Sequence, residues 1–95
     1  MKTENNVNLR IPTPLRPYAG KQANVALDGA TVEEAVGNLF DQYPALRRHI
    51  VDDEGALRNF VNLYLNGDHI DELGGMATPL SPGDRLAIIP AIAGG

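Results

Sequence analysis

The stretch that decides the fold is DGATVEEAVGNLFDQYP, residues 28–44. Thr31, with Glu34 three residues later, fits the capping box that opens a helix. Apolar residues then recur at helical spacing on one face: Val32, Ala35, Val36, Leu39, Phe40 and Tyr43. Pro44 predicts the end of this helix, because the residue before a proline avoids helical backbone angles. We therefore expect one amphipathic helix whose apolar stripe needs a partner surface.

Two segments before this helix and one after it alternate apolar and polar residues, as half-buried strands do. The first two are residues 7–11 and 23–27, and the third is residues 61–65. The proline-rich stretch 12–21 predicts a loop that joins the first two strands as an antiparallel pair.

The last third of the chain predicts two more strands. Asn66-Gly67 is a hairpin signal, and a short returning strand at residues 68–70 would follow it. Ser81-Pro82-Gly83-Asp84 predicts a turn before RLAIIP, residues 85–90. This near-continuous apolar run is typical of a central strand buried on both faces. The order is therefore β-β-α-β-β-β, an α+β fold with the one main helix packed on one face of the sheet.

Composition limits the size and class of the protein. The 95 residues suit a single domain, residues 1–95, with residues 91–95 expected to form a flexible tail. Cysteine is absent, which excludes disulfides, thiolate metal sites and cysteine nucleophiles. The net charge of −4 argues against a nucleic-acid partner. There is no apolar run long enough for a membrane span and no signal segment at the start, so we expect a cytoplasmic location.

The last eight residues, IIPAIAGG (88–95), raise the main functional question. Pro90 is predicted to end the last strand, and Ala91, Ile92 and Ala93 are apolar residues beyond the sheet. Taken alone, Gly94-Gly95 could be a frayed end or a cloning scar. A terminal carboxylate, however, becomes an acyl donor once it is adenylated, and glycine has no Cβ to block attack or to prevent threading through a narrow slot.

These pieces together resemble a known family, the ubiquitin-like β-grasp sulfur carriers of the MoaD/ThiS-like group. The resemblance covers most of the chain and rests on VNLRIPTPLRPYAGK (7–21), FVNLYLNGDHI (60–70) and LGGMATPLSPGDRLAIIPAIAGG (73–95). Among the branches, the length and the FVN strand are most similar to the carrier of cysteine biosynthesis. The molybdopterin branch also ends its last strand in a proline followed by two glycines.

The resemblance implies a role as a protein cosubstrate, not an enzyme. An adenylating enzyme of the ubiquitin-activating type would use ATP and Mg²⁺ to activate Gly95, and a sulfur source would convert it to a thiocarboxylate. Residues 90–94, Pro90, Ala91, Ile92, Ala93 and Gly94, would thread the partner's active site. The acceptor would be a pyridoxal-phosphate cysteine synthase or another synthase, with a metalloprotease removing the adduct. The carrier itself would bind no cofactor or metal.

Two other functions stay open at this point. Gly95 could form isopeptide bonds with lysines, as in a ubiquitin-like modifier, although Lys2 and Lys21 are the only lysines in the chain to which its own polymers could attach. Alternatively, the chain could be a monomeric interaction domain with an inert tail. If the natural chain stops at Gly95, no protease is needed before activation.

Further residues have both a functional and a structural interpretation. Phe60 and Tyr64 would face away from the helix and are candidates for the surface that contacts the activating enzyme. His49 and His69 lack a third ligand at metal-site spacing, so we expect surface histidines. The carboxylates of residues 52–55 predict a solvated turn. Pro14-Leu15-Arg16-Pro17 fits an SH3-ligand pattern but is better explained as part of the first connection. Gly74-Gly75 predicts a loop with unusual backbone angles.

Overall fold

A computed structural model describes residues 6–59 and 61–90 of the chain. Within them the strands are β1 (Asn6–Arg10), β2 (Asn24–Asp28), β3 (Val61–Leu65), β4 (Asp68–His69) and β5 (Arg85–Pro90). The α-helices are α1 (Val32–Gln42) and α2 (Arg47–Ile50), and 3₁₀ helices cover Thr13–Ala19, Pro44–Leu46, Ile70–Glu72 and Gly75–Ala77.

The strands form one mixed sheet in the order β2-β1-β5-β3-β4. The β1–β2, β3–β4 and β3–β5 pairs are antiparallel, whereas β1 and β5 run parallel at the centre. The predicted α+β class, the antiparallel first pair and the central position of the last strand are confirmed. The extent of the domain over residues 1–95 stays a prediction.

The main helix begins as the sequence predicts. The Glu34 backbone N–H donates to Thr31 Oγ1 at 3.2 Å, and Glu34 Oε1 accepts from the backbone N–H of Ala30 at 3.0 Å. The first bond satisfies a backbone donor that the first turn of a helix leaves free, and the second ties the residue before the cap to that turn. Val32, Ala35, Val36 and Leu39 are buried, so the apolar stripe of α1 packs on the sheet as expected.

The hydrophobic core lies on the helix side of the sheet. Strands β1, β2, β3 and β5 contribute alternate side chains to it, among them Leu9, Leu27, Leu63 and Leu86. The prediction that β5 is buried on both faces is wrong: Leu86 and Ile88 are buried, but Ile89 is 48% exposed. The reason is that α1 covers one face only, so a central strand here still has an open side.

The proline-rich connection also differs from the expected irregular loop. Residues Thr13–Ala19 form a 3₁₀ helix, which suits prolines because their fixed φ matches its backbone and their missing donors cost few of its bonds. Arg16 Nε donates to the carbonyl of Ile11 at 3.0 Å, which ties this helix to the end of β1. Among the described residues, no helix combines the length and hydrophobicity that a membrane crossing requires.

Candidate functional site

The end of β5 positions the segment that the sequence singles out. Pro90 is opposite Val61 of β3. The Asn66 N–H donates a hydrogen bond to the Arg85 carbonyl at 2.8 Å. Hydrogen-bonded and non-hydrogen-bonded pairs alternate along an antiparallel ladder, so Pro90–Val61 is a non-hydrogen-bonded pair. The missing N–H of Pro90 therefore costs no bond to β3. The predicted tail residues Ala91, Ile92, Ala93, Gly94 and Gly95 lie outside the described residues.

The sheet face opposite α1, which we call the open face, presents a broad concavity. It is lined by Asn8, Arg10, Asn24, Tyr64, Asn66, Gly67, Arg85, Leu86, Ala87 and Ile89. Ile89 is the most apolar exposed element of this surface, and it comes one residue before Pro90 in the chain. A protein that covers the open face would therefore also meet the start of the tail.

The open face differs in charge from the chain as a whole. Arg10 and Arg85 line the concavity, and the described residues that line it include no carboxylate, although the chain carries a net charge of −4. Arg10 is opposite Asn24 in the β1–β2 ladder, and Arg85 is opposite Asn8 across the parallel pair. A basic and partly apolar face favours a partner surface with carboxylates around an apolar centre.

Tyr64 has the placement that the sequence predicts. Val61, Leu63 and Leu65 are buried on the helix side, which leaves Tyr64 half-buried on the open face. Its ring meets His69 edge to face, with centroids 5.1 Å apart. Phe60, the other aromatic residue predicted for this surface, lies outside the described residues, so its role stays a prediction.

Both histidines contact neighbouring side chains. His69 Nδ1 accepts from the Asp71 N–H at 3.1 Å, so its Nε2 carries the proton and donates to Asn62 Oδ1 at 2.9 Å. His49 stacks on Tyr18 at 4.2 Å and is half-buried, less exposed than we expected. The described residues contain no group of three or more His, Asp or Glu side chains placed to hold a metal ion.

The remaining candidate segments behave as turns. Asp52 Oδ1 accepts the backbone N–H groups of Glu54 and Ala56, which closes the predicted polar turn. Gly75 has φ of 61°, which confirms the predicted unusual backbone angle at this position. Gly74 has φ of −120°, a backbone angle that any residue can adopt.

Sequence reasoning missed Ile89, Arg10 and Arg85 as one surface. The sequence predicts Ile89 in a strand that is buried on both faces. Arg10 and Arg85 are 75 residues apart in the chain (85 − 10), so no local pattern connects them. The alternation was nevertheless present, since Arg85, Ala87 and Ile89 occupy every second position of β5. What the sequence could not show was the parallel pairing that places β1 beside β5.

Comparison with known proteins agrees with this fold. The model of the ThiS family matches residues 9–95. Sulfur carrier protein CysO of Mycobacterium tuberculosis (strain ATCC 25618 / H37Rv) is 38% identical over 92 residues, which cover 95% of this chain and 99% of the relative. Small archaeal modifier protein 3 of Haloferax volcanii is 37% identical over 68 residues, covering 72% of this chain and 73% of the relative.

A solved structure gives the same result in three dimensions. The crystal structure of the Amycolatopsis orientalis BexX/CysO complex contains a chain that superposes with a TM-score of 0.86 at 35% identity, covering 94% of this chain and 99% of that one. That relative is therefore seen bound to another protein. The fold, the full-length identity and the match of the family model through the last residue lead to one conclusion: the chain belongs to the ThiS family of ubiquitin-like β-grasp proteins.

Proposed function

We propose that this chain is a sulfur carrier whose Gly95 carboxylate becomes a thiocarboxylate and supplies sulfur to biosynthesis, with cysteine as the product. In this role the chain is a substrate of other enzymes and not a catalyst. The observation that carries the proposal is the full-length similarity to sulfur carrier protein CysO, together with a family match that includes Gly94 and Gly95.

The chemistry needs two steps at Gly95. A carboxylate oxygen attacks the α-phosphorus of ATP, held with Mg²⁺ by an adenylating partner, and pyrophosphate leaves. A sulfur nucleophile then attacks the acyl carbonyl carbon, and the C–O bond to AMP breaks as the C–S bond forms. Sulfide gives the thiocarboxylate directly, whereas a persulfide or thiosulfate gives an adduct whose S–S bond an added thiol reductant must cleave. Glycine suits both steps because the carbonyl carbon has no neighbouring side chain to obstruct attack.

The rest of the molecule serves to present this carboxyl group. Pro90 stiffens the exit from the central strand, and Ala91, Ile92 and Ala93 provide small apolar contacts on the way into the partner's site. The open face supplies the docking surface, with Arg10 and Arg85 meeting carboxylates and Ile89 and Tyr64 meeting an apolar centre. Phe60 belongs to the same proposed surface.

The proposed acceptor is a pyridoxal-phosphate cysteine synthase, which would supply an electrophilic alkene for the thiocarboxylate sulfur to attack. A metalloprotease would then release the product from Gly95. A cytoplasmic location and a monomeric carrier that meets each enzyme in turn fit this sequence of partners.

The test is the intact mass of the purified chain after incubation with its cognate adenylating enzyme, ATP, Mg²⁺ and a sulfur source. We expect a gain that matches one oxygen replaced by one sulfur. A variant without Gly95 should show no gain, whereas Arg47→Ser, which changes an exposed side chain at the start of α2, should react like the wild type. The absence of any gain with sulfide, thiosulfate and a persulfide donor would contradict the proposal.

A second function is supported by one observation, the similarity to small archaeal modifier protein 3. In this alternative, a lysine amine attacks activated Gly95 and forms an isopeptide bond. Lysates containing a tagged chain would then yield lysine-linked conjugates that depend on Gly95. Conjugates without any thiocarboxylate would favour the modifier over the carrier.

A further inference from the structure

Strand β2 forms one edge of the sheet, and its outer backbone groups have almost no partners among residues 6–59 and 61–90. The Ile11 N–H donates a hydrogen bond to the Ala23 carbonyl at 2.7 Å. This bond shows which residue pairs of the β1–β2 ladder are hydrogen-bonded to each other and which are not. Val25 and Leu27 therefore bond β1, whereas the N–H and C=O groups of Asn24, Ala26 and Asp28 point away from the sheet. We call these groups the outer edge of β2.

One of these six groups is already occupied. Asn38 Nδ2 on α1 donates to the Asp28 carbonyl, which leaves three donors and two acceptors. All three residues are exposed, whereas Val25 and Leu27 between them are buried in the core that β2 shares with α1. An exposed edge of this kind is a template for another strand. Nothing in β2 protects it, since its sequence, NVALD, contains no proline or lysine.

The surroundings of this edge favour a cation. A shallow concavity beside it is lined by Asn6, Ala26, Asp28, Asn38, Asp41 and Gln42, which provide two carboxylates and four amide or methyl groups but no basic side chain. The C-terminal end of α1 lies here too, and its last turn has no basic residue. The negative end of the helix dipole adds to the potential of the two carboxylates.

We propose that the outer edge of β2 binds an extended segment of a partner protein, which adds as an antiparallel strand and places lysine or arginine side chains on the α1 side of the sheet, next to Asp41 in the concavity that Asp28 also lines. Residues opposite Asn24, Ala26 and Asp28 would make the backbone bonds, and the residues between them would face α1. A second copy of the chain fits less well, because strand β2 itself offers no cation to the concavity. This surface shares Asn24 with the open face but lies at the edge of the sheet, and it is independent of the chemistry at Gly95.

The test is a titration of the ¹⁵N-labelled chain with the capped heptapeptide acetyl-TVKVKVT-amide, followed by amide chemical shifts and hydrogen exchange. We expect shifts confined to Asn24–Asp28 and the last two turns of α1, with slower exchange at the Asn24, Ala26 and Asp28 amides. The acidic peptide acetyl-TVEVEVT-amide should not bind. Shifts at Arg10, Tyr64 and Ile89 of the open face, or no binding of the lysine peptide at millimolar concentration, would overturn the proposal.

N-methylated peptides separate strand pairing from simple charge attraction. Methylating the central valine, opposite Ala26, removes a backbone bond and should weaken binding by about tenfold or more. N-methylating the backbone of a lysine residue should change binding little, because its backbone N–H points away from β2. Equal binding of both peptides would show that the edge is not used. Concentration-dependent shifts at the same amides without any peptide would identify a second copy as the occupant and overturn the proposal.

Two double variants with the same change in charge test the role of the carboxylates. Asp28→Asn with Asp41→Asn should weaken the lysine peptide by roughly fivefold, and the effect should shrink at high salt. Glu33→Gln with Asp53→Asn, which removes two exposed carboxylates away from this edge, should leave the affinity unchanged. Equal weakening by both double variants would mean that the peptide responds only to the net charge of the chain, which would contradict the proposed site.

Discussion

At the scale of single residues, the turn at Asp52 shows how local sequence fixes local electrostatics. Its carboxylate accepts backbone N–H bonds from Ala56 at 3.1 Å and Glu54 at 2.9 Å. The bond from Ala56 has the largest effect, followed by the bond from Glu54, and together they hold the pKa of Asp52 below its ordinary value of 3.8. The positive charge of nearby Arg58 lowers this pKa further. The turn is formed by the Asp52 carboxylate, by backbone N–H groups two and four residues later, and by Gly55, whose φ is 85°.

This arrangement predicts a pH dependence with a definite sign. The folded-state pKa is lowered, so the stabilisation is present above about pH 3.8 and is lost as the pH falls through the lower folded value. Asp52→Asn should therefore flatten the fall of the free energy of unfolding in acid, as measured by urea unfolding at a series of pH values. Asp53→Asn makes the same charge change one residue away and should keep the wild-type slope. Identical slopes in the two variants would contradict this account.

At the scale of elements, α1 is where sequence prediction succeeds best. Its cap, its apolar stripe and its end before Pro44 all depend on neighbours within a few residues. The way α1 meets β2 is different, because it depends on a close approach at Gly29. A Cβ at that position would lie 2.6 Å from the backbone nitrogen of Ala35 and 2.9 Å from its Cα. The sequence shows only a glycine after Asp28, which is equally consistent with an ordinary turn.

Two glycine substitutions separate these effects. Gly29→Ala should lower the free energy of unfolding by roughly 1–3 kcal/mol, because backbone atoms of α1 must move. Gly37→Ala, inside α1 and with nothing within 4 Å of the added Cβ, should raise it by roughly 0.5–1 kcal/mol through helix propensity. Thermal and denaturant unfolding measure both changes. A stabilising Gly29→Ala would mean that the helix does not approach β2 as closely as described.

At the scale of the whole molecule, the central strand connects the proposed docking surface to the proposed reactive tail. Leu86 and Ile88 fix β5 in the core, while Arg85 and Ile89 point to the open face. The next residue, Pro90, is the last described one before the tail. Docking and tail insertion would therefore be coupled through a strand that β1 holds at residues 85–87 and β3 holds at residues 86–90.

This coupling predicts the effect of changing Ile89. Ile89→Ser should raise the KM of the adenylating enzyme for this carrier by about tenfold, because an exposed apolar anchor is lost at the interface. The melting temperature should change little, since Ile89 is 48% exposed in the free chain. Arg47→Ser on α2 serves as the matched surface control and should leave KM unchanged. An unaltered KM for Ile89→Ser would mean that the partner does not use the open face.

The sequence by itself determined what short-range patterns encode: the order of elements, the helix with its cap, the polar turns and the chemistry available at the last glycines. These follow from spacing and backbone preference, which need no distant partner. Only the tertiary structure decided that one face of β5 meets solvent, because burial depends on which elements cover a strand. The parallel pairing of β1 with β5 brings Arg10 and Arg85 to one face, and the placement of α1 on the other face leaves Ile89 exposed. The same pairing order makes β2 an edge, a property that no five-residue pattern reveals.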